Sequence, residues 1–233
     1  MQNFTIEKLT VRTDDKILVN IDRPIVVKNS LAIVGQSGSG KSTLLKALLD
    51  MLPNNLTKEL KYSGDFVLQR ANIGFVPQNP FTALSPMTKI YKQFFCSDSK
   101  IKKLFELVEL DISLKDKFPL HLSGGQLQRV VVAIALSRPI KLLLLDEPTT
   151  ALDKGNKNIV LELIKKLQEK LKFGMIFVTH DIKSIQNLCQ DIVILNSGKI
   201  VEYGTTVDIL GTPQQKYTQN LIQSDFANRS FRR

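Results

Sequence analysis

Apolar residues in the N-terminal part of the chain come in short runs broken by turn signals. Phe4 to Val11 and Ile17 to Val27 read as strands, with Asp14-Asp15 between them and Arg23-Pro24 inside the second. A continuous apolar run, Leu31 to Val34, leads straight into a glycine-rich turn, and beyond it Leu44, Leu45, Leu48 and Leu52 recur at helical spacing. Strand, glycine turn and helix thus follow one another without a spacer. After a short segment from Tyr62 to Val76, the region from Pro80 to Arg138 predicts mostly helix, with Ile101, Leu104, Phe105 and Val108 on one face. This stretch is expected to form an inserted helical lobe, at about 80–138. From Lys141 the pattern alternates: strand Leu142 to Leu145, a helix with Val160, Leu163, Leu167 and Leu171 on one face, strand Met175 to Thr179, a further helix, and strand Ile192 to Leu195. Such alternation predicts a parallel sheet covered by helices, an α/β fold in one domain over 1–233, with a C-terminal tail from about 205.

Composition agrees with that class and removes others. The chain has 233 residues, 43% of them hydrophobic, which suffices for a buried core and argues against disorder or a fibrous class. Its longest apolar stretches, Val130 to Leu136 and Leu142 to Leu145, are separated by Arg138 and Lys141. Neither approaches the roughly 18 uncharged residues needed to span a bilayer. Met1 to Leu9 carries Glu7 and Lys8 and lacks the apolar run of a secretory signal, so a cytosolic chain is expected. Cys96 and Cys189 are isolated and form no CxxC or Cys/His cluster, which predicts reduced thiols with a structural role. The net charge of +10 admits nucleic acid, an anionic membrane surface or a phosphate substrate. Because the basic residues are spread and cluster only at Arg229, Arg232 and Arg233, a solvated surface or juxtamembrane attraction is favoured and no nucleic acid is expected.

Two groups of residues carry recognisable chemistry on their own. Gly35, Gln36, Ser37, Gly38, Ser39, Gly40, Lys41, Ser42 and Thr43 make a full G-x-x-x-x-G-K-[ST] pattern between a predicted strand and a predicted helix. In that setting the glycines let backbone N–H groups turn around phosphates, and the helix adds the positive end of its dipole. Lys41 is expected to reach the β and γ phosphates, Ser42 to ligate Mg²⁺ and Thr43 to hold the α-phosphate side. The second group is the apolar strand ending in Asp146 and Glu147, which delivers two carboxylates to the carboxyl edge of a sheet. Asp146 is suited to hold Mg²⁺ through water, and Glu147 to orient or deprotonate an attacking water. Together they predict a nucleotide triphosphatase.

The pentapeptide Leu122-Ser123-Gly124-Gly125-Gln126, ahead of the acidic pair, narrows the class. With it the chain resembles the ABC ATPase family, whose signature is LSGGQ. The resemblance implies a P-loop NTPase core of the RecA-like kind, with ATP and Mg²⁺ as cofactors. It also implies that Ser123, Gly124, Gly125 and Gln126 cover the γ-phosphate held by a second ATPase subunit, homologous or identical. On the same resemblance Gln78 is the Q-loop glutamine that touches Mg²⁺, Asp153 of Ala151-Leu152-Asp153 lies in the D-loop at the dimer interface, and His180 is the switch histidine that contacts the γ-phosphate. The likeness runs from about Phe4 to Tyr203. It implies an ATPase coupled to transport, peripheral on the cytoplasmic face of the membrane and partnered by transmembrane permease subunits. Two departures stand out. Arg12 and Thr13 occupy the place where the family carries an adenine-stacking ring, so the planar Arg12 guanidinium either substitutes for it or is solvated. The segment between Tyr62 and Phe75 is short, which predicts a reduced antiparallel β lobe.

Further matches point to one branch. Asn79 to Thr88, NPFTALSPMT, is similar to the D-P-x-x-x-L-N-P stretch of the oligopeptide, dipeptide and nickel importers. Pro213 to Leu221, PQQKYTQNL, is similar to their P-x-x-x-Y-T-x-x-L. A proline-rich loop and a terminal amphipathic helix are the plainer readings of these stretches. The cysteine-rich extension often found in that branch has no counterpart, since no cysteine follows Cys189. The implied function is to energise import of peptides, nickel or a metal chelate, through an extracytoplasmic binding protein that this subunit does not touch. The alternative is a non-transport ABC ATPase of DNA repair or the ribosome, a class that generally carries two cassettes where this chain has one phosphate loop and one signature.

Overall fold

A computed structural model describes residues 3–227 of the chain. The basic cluster Arg229, Arg232 and Arg233 lies outside the described residues. In chain order, β1 (Phe4–Arg12), β2 (Ile17–Ile21), β3 (Ile25–Val27), β4 (Ser30–Val34), α1 (Lys41–Leu48) and β5 (Thr57–Gly64) come first. Next are β6 (Ile73–Val76), α2 (Asp98–Leu107), α3 (Gly124–Ala135), β7 (Leu142–Asp146) and α4 (Lys154–Leu171). The order ends with β8 (Gly174–Thr179), α5 (Ile182–Ile185), β9 (Asp191–Asn196), β10 (Lys199–Thr205), α6 (Thr206–Gly211) and α7 (Lys216–Ala227). These elements fall into two compact bodies. One is built from the residues up to Leu68 and from Gly174 onward, the other from Gln69–Phe173.

In the first body, β4 lies between β8 and β9 and runs parallel to both, with Val34 opposite Thr179 and Ile194. All five residues of β4 and all six of β8 are buried, as expected of parallel strands covered on both faces. β9 turns back antiparallel onto β10, β10 meets β2 in parallel at Lys199 and Asn20, and β1 pairs antiparallel with β2, β3 and β5. On β1 the buried residues are Phe4 and Ile6, then Leu9 and Val11, so the inward phase changes midway. The irregularity between Ile6 and Lys8 in its pairing with β5 supplies the extra residue that shifts the phase. Burial, with the Asp191 carboxylate nearby, pushes the Cys189 thiol far above its ordinary value, which makes it an inert core side chain.

Several sequence expectations need correction here. The strand expected from Ile17 to Val27 is two strands, because Pro24 lacks the N–H that a continuous ladder needs. β5 went unseen, since its side chains TKELKYSG are mostly exposed and give no apolar alternation, while its backbone pairs with β1 along eight positions. Leu52 is not in α1, which ends at Leu48, and Asp50 takes a left-handed turn with φ 56°. The tail from 205 holds two helices, α6 and α7.

In the second body, β6 and β7 run parallel with Ile73 opposite Leu142 and Val76 opposite Leu145. The stretch 80–138 is less helical than its periodicity predicts. Only α2 and α3 are α-helices; Pro80–Ala83, Ile90–Gln93, Ile112–Asp116 and Pro119–His121 are single 3₁₀ turns. Prolines at 80 and 119 start two of those turns, where the missing N–H costs nothing. α2 buries Ile101, Leu104 and Phe105, and α4 buries Val160, Leu163, Ile164 and Leu167. Leu171, which spacing puts on that face, is exposed at the end of α4. The Arg129 guanidinium on α3 donates to the carbonyls of Val108 and Glu109, at 3.4 and 2.6 Å, and so ties α3 to the C-terminal end of α2. No described helix is long and apolar enough to cross a membrane.

Candidate functional site

The phosphate loop leaves the buried end of β4 and winds directly into α1. Gly35 cannot carry a side chain there: a Cβ would lie 2.2 Å from the Leu195 carbonyl oxygen on β9 and 2.6 Å from the Ser39 hydroxyl. Gly38 and Gly40 stand at φ 79° and 102°, and Gly40 caps α1, so the loop turns directly into the positive end of the helix. The β9–β10 turn holds the loop from outside, with Gly198 N–H donating to Ser39 O at 2.9 Å. Lys41 is only 5% exposed. Its ammonium donates to the carbonyls of Gly35, at 2.8 Å, and Gln36, at 2.9 Å. The Ser39 hydroxyl is buried with no hydrogen-bond partner among the described residues. A buried cation, an unmatched hydroxyl and a glycine turn at a helix start together fit a polyphosphate anion.

His180 follows Thr179, the last residue of β8, and Thr179 faces Val34 in the ladder. The phosphate loop and His180 therefore leave neighbouring parallel strands at the same edge of the first body. The exposed His180 precedes Asp181, whose carboxylate accepts from Lys183 N–H and Ser184 N–H and starts α5. Arg12 is exposed and Thr13 closes a turn with Lys16, the Lys16 N–H donating to its hydroxyl at 3.0 Å.

The second body repeats this geometry with different chemistry. β6 and β7 end side by side, with Val76 opposite Leu145, so Gln78 and the pair Asp146 and Glu147 emerge at one edge. Glu147 adopts φ 47°, a left-handed conformation uncommon for a residue with a side chain. Thr150 steadies it: its hydroxyl donates to Glu147 Oε2 at 3.0 Å, and its N–H donates to the Glu147 carbonyl at 3.2 Å. Backbone strain of this kind persists where surrounding bonds enforce it, and it gathers at functional sites.

Ser123 caps α3 through a capping box. Its hydroxyl accepts from Gln126 N–H at 3.3 Å, and the Gln126 side chain accepts from Ser123 N–H at 2.9 Å. Close behind it sits the loop Ala151-Leu152-Asp153. A Cβ on Gly125 would meet Asn156 Oδ1 at 2.4 Å, and one on Gly124 would meet Leu152 at 3.5 Å. Asp153 caps α4 by accepting from Gly155 and Asn156 N–H groups, both at 3.0 Å. The Asn156 side-chain amide and these N–H groups hold the Asp153 carboxyl below its ordinary value. The structure thus brings Ser123 to Gln126 together with Asp153, and Gln78 with Asp146 and Glu147. Sequence reasoning missed Asn156 and Thr150, which belong to no motif. It also missed that the Gln36 N–H donates to the Tyr217 hydroxyl at 3.4 Å, although Tyr217 stands in the PQQKYTQNL stretch already singled out.

Comparisons with known proteins place this geometry. Residues 18–150 match the protein family described as ABC transporter. The chain is 37% identical over 223 residues to the oligopeptide transport ATP-binding protein OppD of Bacillus subtilis, covering 84% of this chain and 62% of that protein. It is 31% identical over 254 residues to the metal-staphylopine import system ATP-binding protein CntD of Staphylococcus aureus, covering 96% of this chain and 93% of that protein. The dipeptide transport ATP-binding protein DppD of Caldanaerobacter subterraneus is 34% identical, with 96% of this chain and 76% of that protein covered. Among solved structures, CbiO1 of Clostridium perfringens, part of the ABC transporter complex cbiONQ, superposes with a TM-score of 0.76 at 24% identity over 97% of this chain and 98% of that one, which supports the α/β P-loop fold. The chain belongs to the ABC transporter family, as one of its ATP-binding subunits.

Proposed function

We propose that this chain hydrolyses ATP to drive an importer of peptides or of a metal chelate, together with a second ATPase subunit and membrane-spanning permease subunits. The observation that carries the nucleotide chemistry is the buried Lys41 ammonium, gathered by the loop's own Gly35 and Gln36 carbonyls at the start of α1. The cargo class rests on the names of the relatives, which are ATP-binding proteins of oligopeptide transport, dipeptide transport and metal-staphylopine import.

In this reading Lys41 neutralises charge on the β and γ phosphates, and the N–H groups from Gly38 to Thr43 donate to phosphate oxygens. Glu147 orients and deprotonates the attacking water, with Thr150 holding its carboxylate. His180 contacts the γ-phosphate. The Ser42 hydroxyl in the first body, and the Gln78 side-chain oxygen and Asp146 carboxylate in the second, are each hard oxygen donors of the kind that suits Mg²⁺. When bound, Mg²⁺ neutralises charge on the phosphate oxygens. Ser123, Gly124, Gly125 and Gln126 cover the nucleotide of the second subunit, with Asp153 at that interface. Phe81, Met87, Phe95 and Leu120 of the second body are each exposed, at 47, 82, 90 and 67%, and offer apolar side chains to the permease on the cytoplasmic face of the membrane.

Phosphate release from MgATP tests the assignment. Lys41→Ala is expected to lower hydrolysis at least about a hundredfold and to weaken ATP binding, since it removes the charge facing the phosphates. Unchanged turnover would overturn it. Cells lacking this chain should lose uptake of a labelled oligopeptide or of a metal chelate; undiminished uptake of both would remove the proposed cargo.

A further inference from the structure

α7 is docked on the first body by its beginning. The Glu202 carboxylate of β10, 7% exposed, accepts from the N–H groups of Gln214 and Gln215, at 2.8 and 3.2 Å, immediately ahead of the helix. Thr218 is fully buried and Leu221 is 6% exposed, so one face of the helix is packed. This placement sets the position of the half-buried Tyr217, whose hydroxyl accepts the hydrogen bond from Gln36 N–H across 181 residues of sequence.

That N–H belongs to the same planar peptide group as the Gly35 carbonyl, which accepts from the Lys41 ammonium at 2.8 Å. In a trans peptide the two groups point in opposite directions. Tyr217 and Lys41 therefore hold the two sides of one plane, and turning that plane moves the carbonyl that aims the ammonium. The adjoining Gln36 carbonyl accepts from Lys41 at 2.9 Å and from Ser39 N–H at 3.2 Å, so the same residue also sets the loop's turn. We propose that Tyr217 is a positioning residue for nucleotide binding: its hydroxyl fixes the Gly35–Gln36 peptide, and through it Lys41, so that α7 is part of the frame of the phosphate loop. The inference rests on the ATP reading of that loop.

A group that aims Lys41 equally in the ground and transition states changes binding without changing the chemical step. Removing the hydroxyl in Tyr217→Phe keeps the ring and its packing. ATP titrated calorimetrically into the full-length protein should bind about three- to tenfold more weakly than to wild type, the scale of one neutral hydrogen bond. In hydrolysis assays KM should rise by the same factor, with kcat within about twofold. Glu202→Ala, which frees the start of α7, should weaken ATP binding as well, and the double variant should bind no more weakly than the worse single one, because both act through one contact. ATP affinity in Tyr217→Phe within about 1.5-fold of wild type would overturn the proposal, as would a loss in kcat at constant KM or factors that multiply in the double variant. Wild-type protein that does not bind ATP, or Lys41→Ala that binds it equally well, would instead remove the nucleotide reading itself.

Discussion

Gly35 shows how little freedom a single position has at the phosphate loop. Its missing Cβ leaves room for the Leu195 carbonyl at 2.2 Å and the Ser39 hydroxyl at 2.6 Å from where that atom would be. The first of these is backbone in the buried strand β9, which cannot swing aside as the end of a side chain can. Gly35→Ala is therefore expected to push β4 and the loop apart, destabilising the protein by about 1–3 kcal/mol, the usual scale of overpacking. Denaturant unfolding without nucleotide measures this. Loss of ATP binding should accompany it, because the Gly35 carbonyl is one of the two that hold Lys41. At Glu147 the constraint is of the other kind, since φ 47° is imposed on a residue with a side chain and held by two bonds from Thr150.

Among the elements, α3 and α7 each depend on how they begin. Ser123 both caps α3 and stands in the LSGGQ stretch, and two substitutions separate these duties. Ser123→Ala should cost about 1 kcal/mol in urea unfolding, whereas Ser123→Gly should cost only a few tenths because glycine is a tolerable cap. If the hydroxyl also touches nucleotide, both variants should slow MgATP hydrolysis alike. At the start of α7, burial works to raise the Glu202 carboxyl, but the neighbouring Thr218 and the hydrogen bonds from the Gln214 and Gln215 N–H groups outweigh it and hold it below its ordinary value. A depressed folded value means that the unfolded chain binds the proton more readily. The contribution of Glu202 is thus complete above the ordinary glutamate value of about 4.3, and it is lost as pH falls through the folded value. Stability measured against Glu202→Gln should show a gap at pH 7 that closes on acidification; a gap that widens toward acid would contradict the sign.

At the scale of the whole molecule, the first body carries the phosphate loop and His180, and the second carries Gln78, Asp146, Glu147 and the signature. Glu147→Gln removes the proposed base, keeps its shape and leaves the Lys41 loop untouched. ATP binding should persist while hydrolysis stalls. With MgATP the variant should elute from size exclusion as a dimer, each subunit's Ser123 to Gln126 covering its partner's nucleotide. A monomer under those conditions, even with the permease supplied, would count against a two-subunit sandwich.

The chemistry-bearing stretches were legible because each is contiguous. An apolar strand followed by Gly35 to Thr43, the LSGGQ of 122–126 and the acidic pair after Leu142 to Leu145 state their residue types and local geometry without help from distant chain. Apolar runs and periodicity likewise marked the buried strands β4 and β8, the inward face of α2, and Val160, Leu163 and Leu167 on α4, though not its buried Ile164 or its exposed Leu171. It carries no information about hydrogen-bonding partners, and there the tertiary structure decided. β5 is a strand because β1 offers it a ladder, its own side chains being mostly solvated. The phase change from Ile6 to Leu9 exists only as an irregularity in that pairing. Asn156 fills the place of a Gly125 side chain, and Tyr217 reaches Gln36 across 181 residues. The sequence by itself determined where the residue types and local order of a phosphate-binding loop stand. Which other side chains hold those residues in place is a property of the closed chain, since backbone donors and close contacts between distant segments exist only after folding.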